Sequence, residues 1–232
     1  LNGIDYDEFN PADDPALYQN FTVSDFRKKK KKNKTELQKE LGLTVDPSTP
    51  LIGMISRLTS QKGFDLVMRV FNEIMQEKVA IVLLGTGDPM YESFFRGMEA
   101  SYKGRVCSYI AYDNALSHQI YAASDLFLMP SKFEPCGISQ MISLRYGTLP
   151  IVRETGGLKD TVVPYNEYEN TGTGFSFRNY NAHEMMKIIR YAESVYYDNR
   201  RRWNQLVERG MKQDFSWNVS AKKYEKLYDQ LT

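Results

Sequence analysis

The fold is decided by residues 51–84, which read LIGMISRLTSQKGFDLVMRVFNEIMQEKVAIVLL. Two short apolar runs, 51–55 and 79–84, enclose a segment in which apolar residues recur at helical spacing. Neither run alternates strictly between apolar and polar residues, which is typical of strands buried on both faces. The stretch therefore predicts a strand, a helix and a second strand parallel to the first.

The same succession continues to the end of the chain. Further apolar runs occupy residues 105–110, 126–129, 149–152 and 174–177. Helical patterns separate them, and three helical segments close the chain at 182–197, 200–211 and 216–231. Strands alternating with helices favour a parallel sheet with helices on both faces, so we predict an α/β, doubly wound domain of Rossmann type.

The chain ahead of this core is less regular. Residues 1–26 predict an ordered loop, and Leu37, Leu41 and Leu43 with Gly42 predict a short helix closed by glycine. The run RKKKKKNK at 27–34 is typical of a solvated, mobile loop, with a polyanion or polysaccharide contact as the alternative. We predict one domain over 1–232, with a leading segment at 1–49, a core at 50–215 and a terminal helix at 216–232.

Composition excludes several classes of protein. The 232 residues carry 30 basic and 29 acidic side chains, for a net charge of +1. This balance argues against a dedicated nucleic-acid or membrane-surface protein, and no apolar run approaches the ~20 residues of a membrane span. Two cysteines, Cys107 and Cys136, and two histidines are a poor inventory for a metal site. We expect a cytoplasmic protein with no metal, no nucleic-acid partner and no membrane partner.

Ligands of open parallel sheets bind beyond the carboxyl ends of the strands, so the loops that follow the apolar runs are informative. Arg57 and Lys62 follow the first run and could converge on an anion at the next helix N-terminus. They could equally be two surface cations. Gly85 and Gly87 follow the second run and resemble half of a dinucleotide fingerprint, although a tight turn also explains them.

Two later loops add a carboxylate and more glycines. The loop at 130–137 reads PSKFEPCG. Its Glu134 is a ligand-binding candidate or a helix cap, and Cys136 is an inert small residue or a nucleophile. Gly156 and Gly157 expose backbone amides, as a phosphate or sugar pocket requires, or form a plain turn. Together the four loops predict a pocket for a nucleotide or a nucleotide sugar.

These motifs resemble those of a known family. The chain is similar, in register from residue 1 to its end, to the C-terminal half of bacterial glycogen synthases and plant starch synthases. The motifs are Asn2-Gly3-Ile4-Asp5, Ser56-Arg57-Leu58, Gln61-Lys62-Gly63, Gly85-Thr86-Gly87-Asp88, Phe133-Glu134-Pro135-Cys136-Gly137, Arg145-Tyr146-Gly147, Thr155-Gly156-Gly157-Leu158-Lys159-Asp160-Thr161-Val162, Thr173-Gly174-Phe175 and Phe215-Ser216-Trp217. Ile142 stands eight residues after Glu134, where related retaining transferases keep a second Glu, and its presence favours the synthase branch.

The resemblance implies one half of a two-domain GT-B glycosyltransferase. Such an enzyme moves glucose from ADP-glucose, with retention of configuration, to the 4-OH of an α-1,4-glucan. By analogy Arg57 and Lys62 bind the diphosphate and Glu134 holds the glucose hydroxyls, as the catalytic groups. The donor-binding set implied is Asn2, Gly85, Gly87, Tyr112, Cys136, Gly137, Ile138, Ser139, Gly156 and Gly157. Within it, Tyr112 stacks near the adenine, Ile138 and Ser139 offer backbone groups, and Asn2 lies by the hinge.

The start at Leu1 and the absence of the family's N-terminal half predict a fragment that binds ADP or ADP-glucose and transfers nothing. Its expected partners are ADP-glucose or ADP, the N-terminal domain of the same protein and, in the full-length enzyme, an α-1,4-glucan; a bacterial cytoplasm is preferred over a plastid. His118 and His183 are expected to be structural. The terminal helix is expected to expose an apolar face formed by Trp217, Tyr224, Leu227 and Tyr228. Two alternatives remain, another retaining transferase that uses a UDP- or GDP-sugar, and a non-catalytic module for polysaccharides or polyanions.

Overall fold

The computed structural model describes residues 2–229, except for the side chains of residues 223, 224 and 226–229. One six-stranded sheet, with every neighbouring pair parallel, runs through these residues in the order β3-β2-β1-β4-β5-β6. The strands are β1 (Leu51–Ile55), β2 (Ala80–Leu84), β3 (Val106–Tyr109), β4 (Leu126–Met129), β5 (Leu149–Arg153) and β6 (Phe175–Phe177). All six lie where the apolar runs predicted strands, and the α/β Rossmann-like fold class is confirmed.

Helices cover both faces of the sheet. They are α1 (Phe26–Glu40), α2 (Phe64–Ile74), α3 (Pro89–Ser101), α4 (Asn114–Ala123), α5 (Ser139–Arg145), α6 (Gly156–Thr161), α7 (Ala182–Asp198), α8 (Arg200–Met211) and α9 (Trp217–Asp229). Alternate residues of β2 enter different cores, since Ile81 belongs to the cluster that includes Phe71 of α2, whereas Val82 belongs to the cluster that includes Ile120 of α4. Both faces of the strand are thus buried, which explains its unbroken apolar sequence.

The strand order places the site. β1 pairs with β2 on one side and with β4 on the other, so the chain leaves β1 toward one edge of the sheet and later returns to fill the other. In this topology the connections of β1 and β4 depart to opposite faces and leave a crevice between them at the carboxyl ends. The loops that carry Arg57 and Glu134 are those that follow β1 and β4.

The prediction of a mobile loop at the lysine run is wrong. Residues 27–34 lie within α1, which begins at Phe26, whereas the sequence pattern predicted a helix only near Leu37. No glycine or proline interrupts this stretch, and lysine is a good helix former. Exposed lysines are paired with carboxylates one turn away, as in the 2.7 Å contact of Lys32 with Glu36. The prediction that a glycine closes this helix is confirmed, because Gly42 follows the helix with a φ of 67°.

The two ends of the described chain meet. The Ile4 N–H donates to the Phe215 carbonyl at 2.8 Å, and a Cβ on Gly3 would lie 2.6 Å from the Trp217 Cα. Trp217 is 51% exposed, in agreement with the apolar face predicted for the terminal helix. The side chains of Tyr224, Leu227 and Tyr228, which complete that predicted face, lie outside the described residues.

Candidate functional site

A cavity of about 170 Å³ lies at the crevice between β1 and β4. Arg57 and Lys62 line it from the loop after β1, and Ser131 and Ser139 line it from the segment after β4. The two loops are joined directly, because the Lys132 N–H donates to the Gln61 carbonyl at 2.8 Å. Arg57 and Lys62 therefore line the same pocket, as predicted.

Lys62 and Glu134 form an ion pair across this crevice. The Lys62 Nζ lies 2.5 Å from the Glu134 Oε2, and the two side chains are only 19% and 10% exposed. The Ser131 Oγ is a second donor to the same oxygen, at 3.3 Å. Glu134 therefore binds a lysine 72 residues away. It does not cap α5, whose N-cap position is Ile138 and has no side-chain cap.

Arg57 differs from Lys62 in being exposed. Its guanidinium has no hydrogen-bond or ion-pair partner within the part of the chain that the structure describes. The Arg57 guanidinium offers several charged N–H donors in one plane, and Lys62, although paired with Glu134, adds a second cation to the same cavity. Two such groups suit the binding of a phosphate.

Gly85 and Gly87 position the loop that carries Arg57. The Leu58 N–H donates to the Thr86 carbonyl at 2.9 Å, and the Asp88 N–H donates to the Leu58 carbonyl at 2.8 Å. A Cβ would lie 1.9 Å from the Ser56 carbonyl oxygen at Gly85, and 2.2 Å from the Leu58 carbonyl oxygen at Gly87. The observed role of these glycines is close backbone packing, and direct ligand contact stays a prediction.

The prediction that Gly156 and Gly157 both offer exposed amides is wrong for Gly157. They begin α6, and Gly157 is buried with its N–H donating to the Glu134 carbonyl at 3.0 Å. A Cβ on Gly157 would lie 1.8 Å from the Cys136 carbonyl oxygen. This pair of glycines therefore allows the loop after β5 to hold the Glu134 loop, while Gly156 remains exposed.

The segment at the start of α5 keeps free backbone donors. The amides of Ile138 and Ser139 have no acceptor among the described residues, since the first bonded amide of this turn is that of Met141. The Asn2 N–H donates to the Cys136 Sγ at 3.4 Å, which brings the first described residue to the same loop. The ligand-binding roles of Asn2, Cys136, Gly137, Ile138 and Ser139 stay predictions.

Sequence reasoning missed two residues that position these loops. The Arg153 Nε donates to the Ser131 carbonyl at 2.9 Å from the end of β5. The Gln140 Nε2 donates to the carbonyls of Cys136 and Gly137 at 3.2 and 3.1 Å. The sequence offered one signal for Arg153, a charged residue at the end of an otherwise apolar strand. It offered none for Gln140, because the contacts of that side chain depend on the conformation of the turn.

Tyr112 is not brought into this cluster. It follows β3, two strands away from β1 at the same edge of the sheet, and is 89% exposed. Its stacking on a base stays a prediction. His118 is buried in α4, where Asp14 lies 2.6 Å from its Nδ1, and His183 is exposed at the start of α7.

The described residues show neither a metal-binding cluster nor a membrane-spanning helix. They contain no group of three or more His, Cys, Asp or Glu side chains placed to hold a metal ion. None of the helices in that part of the chain combines the length and the apolar character that crossing a bilayer requires. The expectations about metal and membrane stay predictions.

Comparison with known proteins agrees with this geometry. The family model described as glycosyl transferases group 1 matches residues 33–209. A glycogen synthase of Lachnospira eligens is 61% identical over 231 residues, which are 100% of this chain and 48% of that protein. The chain thus spans about half the length of the curated relatives it matches.

Solved structures give the same result. The catalytic domain of starch synthase IV from Arabidopsis thaliana, bound to ADP and acarbose, superimposes with a TM-score of 0.92 at 41% identity. The match covers 99% of this chain and 48% of that one. A sucrose-phosphate synthase from Thermosynechococcus elongatus, at 21% identity and a TM-score of 0.65, covers 99% of this chain and 51% of that one, and it shares the fold. The resemblance drawn from the motifs is confirmed.

Proposed function

This chain belongs to the glycosyl transferases group 1 family, and we propose that it is the donor-binding half of a glucosyltransferase that extends an α-1,4-glucan from ADP-glucose. The observation that carries the proposal is the Lys62–Glu134 pair at the β1–β4 crevice, in a cavity also lined by Arg57, whose guanidinium has no partner among the described residues. Similarity to glycogen synthases and to an ADP-bound starch synthase supports the choice of ADP and glucan.

The two cations have a direct role in this chemistry. Loss of ADP from the donor leaves negative charge on the diphosphate while the sugar gains oxocarbenium character. Arg57 and Lys62 stabilise that charge without a metal ion, and preorganised donors of this kind typically lower a barrier by about 3–4 kcal/mol each. This role requires no resident cofactor, and we propose that none is used.

Glu134 acts on the sugar side. Its carboxylate, held by Lys62 and Ser131, orients the glucose hydroxyls and offsets developing positive charge on the ring. Ile142, where a second carboxylate would stand in related transferases, is buried in α5. Of these two positions only 134 carries a carboxylate, so Glu134 is an orienting group and not a nucleophile.

Titration calorimetry with ADP, UDP and GDP tests the proposal. We expect selective binding of ADP, weakened in Lys62→Ala by about 10- to 150-fold, because a charge-assisted phosphate contact is worth roughly 1.5–3 kcal/mol. Lys103→Ala, which removes an exposed lysine outside the crevice, is the matched control and should leave the affinity unchanged. Preference for UDP or GDP would favour a different sugar donor, and equal loss in both variants would refute the phosphate site.

The remaining parts of the proposal concern the whole protein. The glucan acceptor and a second domain facing the crevice are the proposed partners, with ADP-glucose as the donor. A bacterial cytoplasm is the proposed location, in keeping with the bacterial source of the curated relative.

A further inference from the structure

A second cavity lies at the opposite edge of the sheet. It has a volume of about 280 Å³ and is lined by residues that precede strands, among them Ser48 ahead of β1, Asp125 ahead of β4 and Gly147 ahead of β5. The Arg57 and Glu134 loops follow strands, so they belong to the other edge. This amino-edge cavity is therefore a separate place in the fold.

The lining of the amino-edge cavity is strongly cationic. It contains five cationic side chains and a single carboxylate, that of Asp125. The cations are Arg27, Lys30, Lys31, Lys34 and Arg200. The whole chain has a net charge of only +1, so this concentration of positive charge is local.

Within the described part of the chain, only one of these cations has a close carboxylate. The Lys34 Nζ lies 2.6 Å from Asp125, and this pair is nearly buried. Arg27 reaches Glu208 only at 4.0 Å, and that carboxylate is already bound by Lys212 at 2.6 Å. Lys31 has no ion-pair or hydrogen-bond partner among the residues described.

The remaining two cations are held by neutral groups. Lys30 donates to the carbonyls of Ala122 and Tyr146, both at 2.8 Å, and to the Thr148 hydroxyl at 3.0 Å. The guanidinium of Arg200 lies over the ring of Tyr196, 3.6 Å from its centroid. Neither contact neutralises the charge. The cavity therefore holds an excess of positive charge that a bound anion would offset.

We propose that the amino-edge cavity binds a small phosphate compound carrying two or more negative charges, such as a diphosphate or a sugar phosphate. Arginine and lysine at the mouth supply the charge-assisted donors that phosphate oxygens prefer. The volume of about 280 Å³ suits a small molecule. Lys34 is nearly buried, so salt screens its charge less than the charges of the exposed Arg27 and Lys31. Burial lowers the pKa of Lys30 to about 7, so an anion in the cavity would also favour its protonated form.

Calorimetry with inorganic pyrophosphate tests this site in the Arg57→Gln/Lys62→Gln background, which removes the phosphate donors of the other cavity. We expect one bound pyrophosphate per chain, with affinity at least about tenfold weaker when Arg27→Gln and Lys31→Gln are added. The matched control adds Lys28→Gln and Lys103→Gln, which remove two exposed lysines outside the cavity, and should retain the affinity within about twofold.

Three outcomes would overturn the proposal. The first is absence of pyrophosphate binding by the background variant, whose folding is checked by its thermal unfolding. The second is equal loss of binding in the test and control variants, which would indicate unspecific attraction to surface charge. The third is binding of single-stranded RNA with no binding of pyrophosphate, which would make the lysine-rich surface a contact for polymers.

Discussion

At the scale of single residues, Glu134 and Lys62 neutralise each other, while Arg57 has no such partner among the described residues. An incoming diphosphate meets one available cation and a second that already serves a carboxylate. Under the proposed function, the pair should therefore oppose binding of ADP alone and favour a donor whose glucose occupies Glu134.

This arrangement predicts the effect of Glu134→Gln. We expect ADP to bind about 3- to 10-fold more tightly, because the carboxylate that repels the phosphates is removed. Preference for ADP-glucose over ADP should fall at the same time, since the amide is a weaker acceptor for sugar hydroxyls. Calorimetry with both ligands measures the two effects. Glu184→Gln, on α7, is the control, and weaker ADP binding in Glu134→Gln would contradict the argument.

Gly157 allows a second test at this scale. In Gly157→Ala the added Cβ would meet the Cys136 carbonyl oxygen at 1.8 Å, so the Glu134 loop must move. We expect the free energy of unfolding to fall by about 1–3 kcal/mol, and ADP affinity to fall with it. Gly97→Ala is the matched control, because nothing lies within 4 Å of its Cβ and it is inside α3. The free energy of unfolding of that variant, measured with urea, should rise by about 0.5–1 kcal/mol.

At the scale of the elements, α1 is the helix whose role in the structure differs most from the sequence prediction. The Lys30 Nζ donates to the carbonyl of Ala122, in the last turn of α4, and to the carbonyl of Tyr146, just after α5. Free carbonyls at a helix C-terminus carry partial negative charge, which a lysine satisfies. The lysine run therefore includes a side chain that joins three helices.

Lys30 also predicts a pH dependence of stability. Burial lowers its pKa to about 7, whereas an unfolded lysine has a pKa of about 10.4. Between these values the unfolded state binds more protons, so the free energy of unfolding should rise with pH from about 7 to about 10. Below pH 7 both states are protonated and this contribution stops changing.

Urea unfolding at pH 7 and pH 9.5 measures the Lys30 contribution. Lys30→Met should lack this part of the rise, whereas Lys31→Met, which changes an exposed neighbour on the same helix, should retain it. Identical pH profiles for the two variants would contradict the assignment.

At the scale of the whole molecule, buried polar contacts attach the leading segment to the core. Asp14 accepts hydrogen bonds from Tyr146 at 2.5 Å and from His118 Nδ1 at 2.6 Å. Burial raises the pKa of Asp14, but the bonds from His118 and Tyr146 outweigh it and hold that pKa below its usual value. The segment ahead of α1 is thus part of the packed structure and not an appendage.

The chain covers about half the length of its curated relatives, and every site residue given a role above is proposed to act on the donor. We therefore expect the polypeptide of residues 1–232 to bind ADP and to extend no glucan. Transfer of labelled glucose from ADP-glucose to glycogen measures this, with the Lachnospira eligens relative as the positive control. Detectable extension by the 232-residue chain would contradict the assignment of acceptor chemistry to another domain.

The sequence by itself determined the sheet, because strands buried on both faces must be continuously apolar and the helices between them must be amphipathic. It also predicted that Arg57, Lys62 and Glu134 lie near one another, since the carboxyl ends of parallel strands share one edge. Only the tertiary structure decided how α1 is used. The acceptors of Lys30 come from residues about a hundred positions later, so charge alone predicted a solvated loop. The tertiary structure likewise decided that the Gly157 N–H donates to the Glu134 carbonyl. Sequence could not predict this bond, because backbone contacts between distant loops leave no periodic pattern along the chain.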